Sequence, residues 1–232
     1  EARFRREARA ASRVNGPNIV ELYDFDRDPA SGALFIVMEL VDGRDLQRVI
    51  AEGPLSVERA RDITRQVAAA LVAAEAAGVV HRDLKPANIL LCRGPDGSDL
   101  VKVADFGIAK MRDADATSSF RTSPEHPPGT PITMAPEQIR GEAVDHRTDL
   151  YALGCILFMM LTGKAPFSGG VHAVLMSQVI DDLPPLSNTV PDDLRRLVAK
   201  LTAKEPEARI QHAADVIARL DGRSGARSSQ WR

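Results

Sequence analysis

Three oxygen-bearing side chains and one ammonium stand close together near the middle of the chain. They lie in His81-Arg82-Asp83-Leu84-Lys85-Pro86-Ala87-Asn88 and in Asp105-Phe106-Gly107. Asn88 follows Asp83 by five residues, and Asp105 follows it by 22. The amide oxygen of Asn88 and the carboxylate of Asp105 are hard donors of the kind that hold Mg²⁺ jointly with a polyphosphate. Asp83 is able to orient a hydroxyl and accept its proton, while Lys85 can neutralise charge on a phosphoryl group in flight. Taken singly, each residue reads as a solvated loop charge. The set, in this order, implies phosphoryl chemistry.

Such a set needs elements that hold loops in register. Residues 89–91 and 100–104 read as a short strand pair around the turn Gly94-Pro95-Asp96-Gly97, so the pair separates Asn88 from Asp105. Upstream, Ser56 is placed to cap a long helix running to Ala77. Glu58 lies in its first turn, Ala60, Ile63, Val67, Leu71 and Ala74 recur at helical spacing, and Gly78 ends it. Residues 1–14 read as an Arg- and Glu-rich helix ending before Asn15-Gly16-Pro17. Residues 19–25 and 34–40 read as two strands of a hairpin around the polar loop 26–32. Residues 112–131 are rich in Ser, Thr and Pro with no hydrophobic period, as in a functional loop. Residues 147–162 are apolar on nearly every side and predict a buried helix. Amphipathic helices are expected near 171–181, 192–204 and 212–220, and the Ser/Arg/Gly-rich tail 223–232 reads as disordered.

The chain has 232 residues, 44% hydrophobic and 27% charged, which excludes disorder throughout and suits one large domain or two small lobes. Thirty Lys and Arg against 32 Asp and Glu leave a net charge of −2, so bulk electrostatics predict no nucleic-acid partner. Two cysteines, Cys92 and Cys155, read as small core residues in a reducing compartment rather than a disulfide or a metal site. The longest apolar run, residues 152–161, is about half a bilayer span. No signal peptide is visible, and the expected location is cytoplasmic. The first residue is Glu rather than Met, which reads as a fragment.

The motif set resembles the eukaryotic-like protein kinases, in particular the bacterial Hanks-type serine/threonine kinases. Gly129-Thr130-Pro131 and Ala135-Pro136-Glu137 resemble the end of the family's activation segment, Glu137 standing 32 residues beyond Asp105. Lys85 together with Thr130 is the serine/threonine pattern. The resemblance implies an α+β protein-kinase fold with a truncated small lobe and a complete, mainly helical large lobe. Residues 1–38 would belong to the small lobe, 39–43 to the hinge and 44–222 to the large lobe. It implies ATP and Mg²⁺ as cosubstrate and cofactor, and protein Ser/Thr hydroxyls as acceptors.

The resemblance further implies that Asp83 and Lys85 are catalytic and that Asn88 and Asp105 hold the metal. Met38 would be the gatekeeper, with Glu39 and Val41 meeting the adenine edge through their backbone and Leu90 forming the floor under the base. Asp45 would reach the ribose or cap the next short helix. Glu7, in Phe4-Arg5-Arg6-Glu7-Ala8, looks like the helix glutamate that pairs with the nucleotide-binding lysine. Asp149 looks like the buried acid holding the catalytic-loop backbone, and Arg209 like the partner of Glu137. Arg82, directly before Asp83, is expected to receive a phosphate from the activation segment, with Thr122 as its foremost acceptor.

The sequence also departs from the family pattern. No glycine-rich Gly-x-Gly-x-x-Gly loop and no Val-Ala-x-Lys strand occur in these 232 residues. The expectation is therefore a fragment of an active kinase, which by itself would transfer little phosphate. The alternative is a pseudokinase-like binding or scaffold module. Retention of Asp83, Lys85, Asn88 and Asp105 together favours the enzyme. Gly16 replaces the usual His before Pro17, and Thr133 stands where an aromatic is common; neither removes a catalytic group.

Overall fold

The computed structural model describes residues 13–29, 32–94, 96–106 and 131–222. The predicted helix over 1–14, Glu7, Thr122, Thr130 and the tail 223–232 lie outside the described residues, apart from Arg13 and Val14. The fold is α+β, with two small antiparallel sheets and a larger helical part.

Strands β1 (Leu22–Arg27) and β2 (Leu34–Met38) form a two-stranded ribbon whose register shifts between Leu22 and Asp24. The first strand therefore begins three residues later than the apolar run suggests. The reason lies in residues 18–20, which pair with another strand instead. Ile19 forms a parallel bridge to Val103, the Val20 amide donates to the Val103 carbonyl at 2.9 Å, and the Val103 amide donates to the Asn18 carbonyl at 2.9 Å. Asn18 adds its side chain, Nδ2 donating to the Val101 carbonyl at 2.9 Å.

The second sheet has the order β3 (Arg44–Asp45), β4 (Ile89–Arg93), β5 (Asp99–Val103). In β5, Val101 and Val103 are buried while Lys102 points to the other face, the alternation of a half-buried strand.

Helix α1 (Leu46–Ala51) follows β3 directly, and α2 (Val57–Ala76) is the long helix read from the sequence. Ser56 Oγ accepts from the Arg59 amide at 3.2 Å, and Gly78 at φ 68° supplies the left-handed turn that stops it. Its stripe of Ala60, Ile63, Val67, Leu71 and Ala74 is buried. The small alanines let neighbouring helices approach closely.

After the short α3 (Pro136–Arg140), helix α4 (His146–Thr162) runs through the core with thirteen buried residues from Thr148 to Met160. At Gly154 an added Cβ would meet Leu201 Cβ at 2.7 Å and Thr202 Cγ2 at 2.6 Å, so only glycine permits the crossing with α6 (Asp192–Leu201). That helix stops at Leu201, three residues short of the expected end, with Thr202 as its C-cap, whose amide and hydroxyl both donate to the Val198 carbonyl at 3.0 and 2.9 Å. α5 (Val171–Ile180) and α7 (Ala213–Leu220) complete the helical part, and α7 packs on α2.

Candidate active site

Helix α4 brings a buried acid to the loop that holds Asp83. Asp149, in its first turn, is 3% exposed; its Oδ2 accepts from the His81 amide at 2.8 Å and its Oδ1 from the Arg82 amide at 2.9 Å. Burial pushes the Asp149 carboxyl above the usual carboxylate range, and the two amides pull against it. N-capping of α4 falls instead to Asp145, whose Oδ1 accepts from the Arg147 amide at 2.8 Å.

Arg82 occupies the left-handed region at φ 68°, a strained position for a residue with a long side chain. Both of its backbone groups are fixed: Asp149 takes the amide, and the carbonyl accepts from Gln138 Nε2 at 2.8 Å. Strain persists where the surroundings over-determine it, and here they do. Buried Arg82 Nε has no hydrogen-bond partner among the described residues.

From this fixed backbone the polar groups project. Lys85 Nζ lies 2.6 Å from Asp83 Oδ2, both side chains being partly exposed. Pro86–Asn88 forms one 3-10 turn, and Asn88 Nδ2 donates to the Asp83 carbonyl at 2.9 Å. The Asn88 carbonyl then accepts from the Ala104 amide at 2.8 Å, one residue before Asp105. Asp105 is exposed, with φ 66°, a conformation Asp tolerates better than most residues. His81 links the two segments beneath: its Nε2 is 2.8 Å from the Ala104 carbonyl, and its ring lies 4.8 Å from that of Phe106. The structure therefore brings Asp83, Lys85, Asn88 and Asp105 onto adjoining backbone.

A second group surrounds the sheet. Asp45 pairs with Leu90 across β3 and β4, and Leu90 with Lys102 across β4 and β5. Lys102 Nζ reaches Glu39 Oε2 at 2.9 Å, and this ammonium holds the Glu39 carboxyl below the usual range. The Glu39 amide donates to the Glu21 carbonyl at 2.8 Å, so residues after β2 are tied to both sheets. Met38 is partly exposed and Val41 half-buried. Of the two readings of Asp45, its side chain makes the cap: Oδ1 accepts from the Arg48 amide at 2.9 Å.

Glu137 and Arg209, 72 residues apart, meet in two contacts of 2.7 Å with side chains 3% and 0% exposed. Burial pushes the Glu137 carboxyl up, but Arg209 and the Thr148 hydroxyl outweigh it and hold it below the usual range. Arg209 also donates to the carbonyls of Ala203, Lys204 and Arg147, and its guanidinium lies 5.0 Å from the Tyr151 ring centre.

Three participants carry no local motif. Lys102 is visible only as the polar member of an alternating strand. Gln138 also closes its own helix end, accepting from the Ala135 amide at 3.1 Å. Thr133, noted only as a departure, is buried and donates to the Leu84 carbonyl at 2.8 Å, joining the segment before α3 to the Asp83 loop. Cys155 is buried as expected; Cys92 is half-buried, and both thiols are free.

An α+β fold in which an acid of a core helix holds an Asp-bearing loop beside an Asn and a second Asp is that of the protein kinases. The protein kinase domain family matches residues 1–219, and the chain belongs to it. It is 43% identical over 215 residues to the serine/threonine-protein kinase pkn3 of Myxococcus xanthus, covering 90% of this chain and 39% of that protein. It is 40% identical over 225 residues to the serine/threonine-protein kinase PknB of Mycobacterium leprae, covering 94% of this chain and 35% of that protein. PknB of Mycobacterium tuberculosis gives the same identity and coverage. The chain thus spans little more than a third of the length of these curated relatives.

Proposed function

We propose that the chain is the catalytic domain of a bacterial serine/threonine kinase, transferring the ATP γ-phosphoryl group to Ser or Thr hydroxyls of proteins. The observation that carries this reading is the fixed backbone joining Asp83, Asn88 and Asp105, together with the kinds of side chain it presents. A scaffold module has no use for that arrangement. Asp83 orients the acceptor hydroxyl and takes its proton, and Lys85 balances charge at the transferring group.

Asn88 and Asp105 are the proposed Mg²⁺ ligands. Their chemistry fits: Asn88 spends its amide nitrogen on Asp83, which leaves its oxygen as a donor, and no side chain among the described residues engages the Asp105 carboxylate. Bound Mg²⁺ supplies neutralisation of phosphate charge. Glu39 and Val41 would meet adenine through their backbone beside Met38, and Leu90 would lie under the base. Asp45 would reach the ribose only by leaving its cap. Glu7 would pair with the nucleotide-binding lysine. Residues 1–38, 39–43 and 44–222 are assigned to small lobe, hinge and large lobe. Arg82 would receive a phosphate from Thr122, and Thr130 would belong to the same regulatory segment.

No described helix is long and apolar enough to cross a membrane. Two free thiols and the need for ATP support a cytoplasmic location for the domain.

The test is phosphate transfer from γ-labelled ATP by the full-length protein. Asp83→Asn should lower transfer about 10²- to 10⁴-fold with Mg-ATP binding retained. Asp105→Asn should weaken Mg-dependent nucleotide binding itself. Equal transfer by wild type and Asp83→Asn would overturn the assignment.

A further inference from the structure

Away from the Asp83 loop, three helices bring two imidazoles and a carboxylate to one point. Glu75 lies at the end of α2, His146 opens α4, and His212 precedes α7 as its N-cap. One ligand atom from each lies within 4.8 Å of the others. Glu75 Oε1 is 2.6 Å from His212 Nδ1 and 3.7 Å from His146 Nε2. The two rings are stacked, 5.7 Å between centres and 6° from parallel, so both present nitrogen to the same carboxylate oxygen.

The surroundings hold this group in place. Glu75 Oε2 also accepts from the Ala213 amide at 3.4 Å, which ties it to the start of α7. His146 Nε2 is 2.7 Å from the Gln211 carbonyl, and Gln211 is itself anchored, donating to the carbonyls of Pro206 and Arg209 and accepting from Arg147. Arg147, the nearest cation in sequence, is paired with Asp145 and Glu207. The site therefore has one carboxylate and two imidazoles on rigid elements, with the adjacent guanidinium neutralised.

We propose that Glu75, His146 and His212 form a binding site for a borderline first-row divalent ion, of which Zn²⁺ is the natural occupant. Two nitrogens and one oxygen are a donor set for Zn²⁺, Co²⁺ or Ni²⁺ rather than for Mg²⁺ or Ca²⁺, which prefer oxygen throughout. Three protein ligands leave a fourth tetrahedral position for water. Binding replaces the His212–Glu75 hydrogen bond and takes His146 Nε2 from the Gln211 carbonyl. The gain is a cross-link of α2, α4 and α7. His146 lies one helical turn before Asp149, so the ion would brace the end of α4 that fixes the His81–Arg82 backbone.

The site is independent of the phosphoryl-transfer reading, and its test keeps the two apart. Co²⁺ and Zn²⁺ are titrated into full-length protein carrying Cys92→Ser, with excess Mg²⁺ present to occupy oxygen sites. Expected are one equivalent of Co²⁺ with a visible absorption band of nitrogen-ligated cobalt, and a Zn²⁺-dependent rise in Tm reversed by chelator. His212→Gln and Glu75→Gln, each with its own metal-free Tm as control for folding, should lose affinity by at least about tenfold and lose the Tm shift. Absence of a Tm shift at Zn²⁺ about 100-fold above protein would overturn the proposal, as would Co²⁺ binding unchanged in both variants.

Discussion

The loop bearing Asp83 and the buried layer bearing Asp149 and Glu137 are both rich in acid, and they lie against one another, yet they use carboxylates in opposite ways. Asp149 gives its two oxygens to two backbone amides, and Glu137 gives its own to a guanidinium and a hydroxyl. Among the described residues Asp105 gives its oxygens to no side chain, and the Asp83 carboxylate meets only the movable ammonium of Lys85. Beneath the surface, charge is consumed in fixing geometry. At the surface it is kept available. The division teaches that an acid's role in this fold is read from who takes its lone pairs rather than from its distance to the site.

That contrast can be broken by substitution, and the buried layer should give the largest change in stability. Arg209→Ala leaves the Glu137 carboxylate buried without its cation, and unfolding experiments should show a loss of about 3–5 kcal/mol. A loss below ~1 kcal/mol would mean that the pair is hydrated after all. Asp149→Asn comes next. One oxygen is retained, but an NH₂ now faces a backbone N–H, so a cost of about 1–3 kcal/mol is expected, with faster hydrogen exchange at His81 and Arg82. Asp83→Asn, by contrast, should leave stability within about 0.5 kcal/mol while abolishing most transfer. A large drop in Tm would place Asp83 in the buried class.

The acid limb sharpens the same contrast. Glu137 has a folded pKa below its ordinary value of 4.5, so its contribution is present above that value and is lost as pH falls through the lower folded one. Asp149 is shifted upward by burial, and its contribution runs the other way, being lost as pH rises above the ordinary 3.8. Glu137→Gln should therefore flatten the fall in stability below about pH 4.5, measured by denaturant titration at several pH values. An unchanged acid limb would show that Glu137 does not carry it.

Much of this was legible in the residues. Helix α2 was readable at both ends because Ser56, the apolar stripe and Gly78 agree, and such agreement between cap and period is strong local information. The buried α4 was readable from composition alone. Strand starts were less so: Ile19 and Val20 are as apolar and β-branched as a strand should be, but tertiary pairing with β5 took residues 18–20, and no local signal distinguishes one partner strand from another. Asp83, Lys85, Asn88 and Asp105 were legible because their chemistry is compressed into two short motifs. Glu75 and His212 are 137 residues apart, and nothing in either neighbourhood announces the other. Gln138 and Lys102 look like ordinary surface polar residues until the fold supplies the Arg82 carbonyl and the Glu39 carboxylate.

Val103 serves two masters. Its amide and carbonyl are both bonded to residues 18–20, and Asp105 stands two residues beyond this end of β5. The β1–β2 ribbon consequently hangs on β5 as a load hangs on a bracket, with Asp105 just past the bolt. A force or bound partner that swings the ribbon away loads these two Val103 bonds together with the Lys102–Glu39 pair and the Asn18 side chain's bond to Val101. Asp105 is thereby the first polar side chain downstream to register the tug.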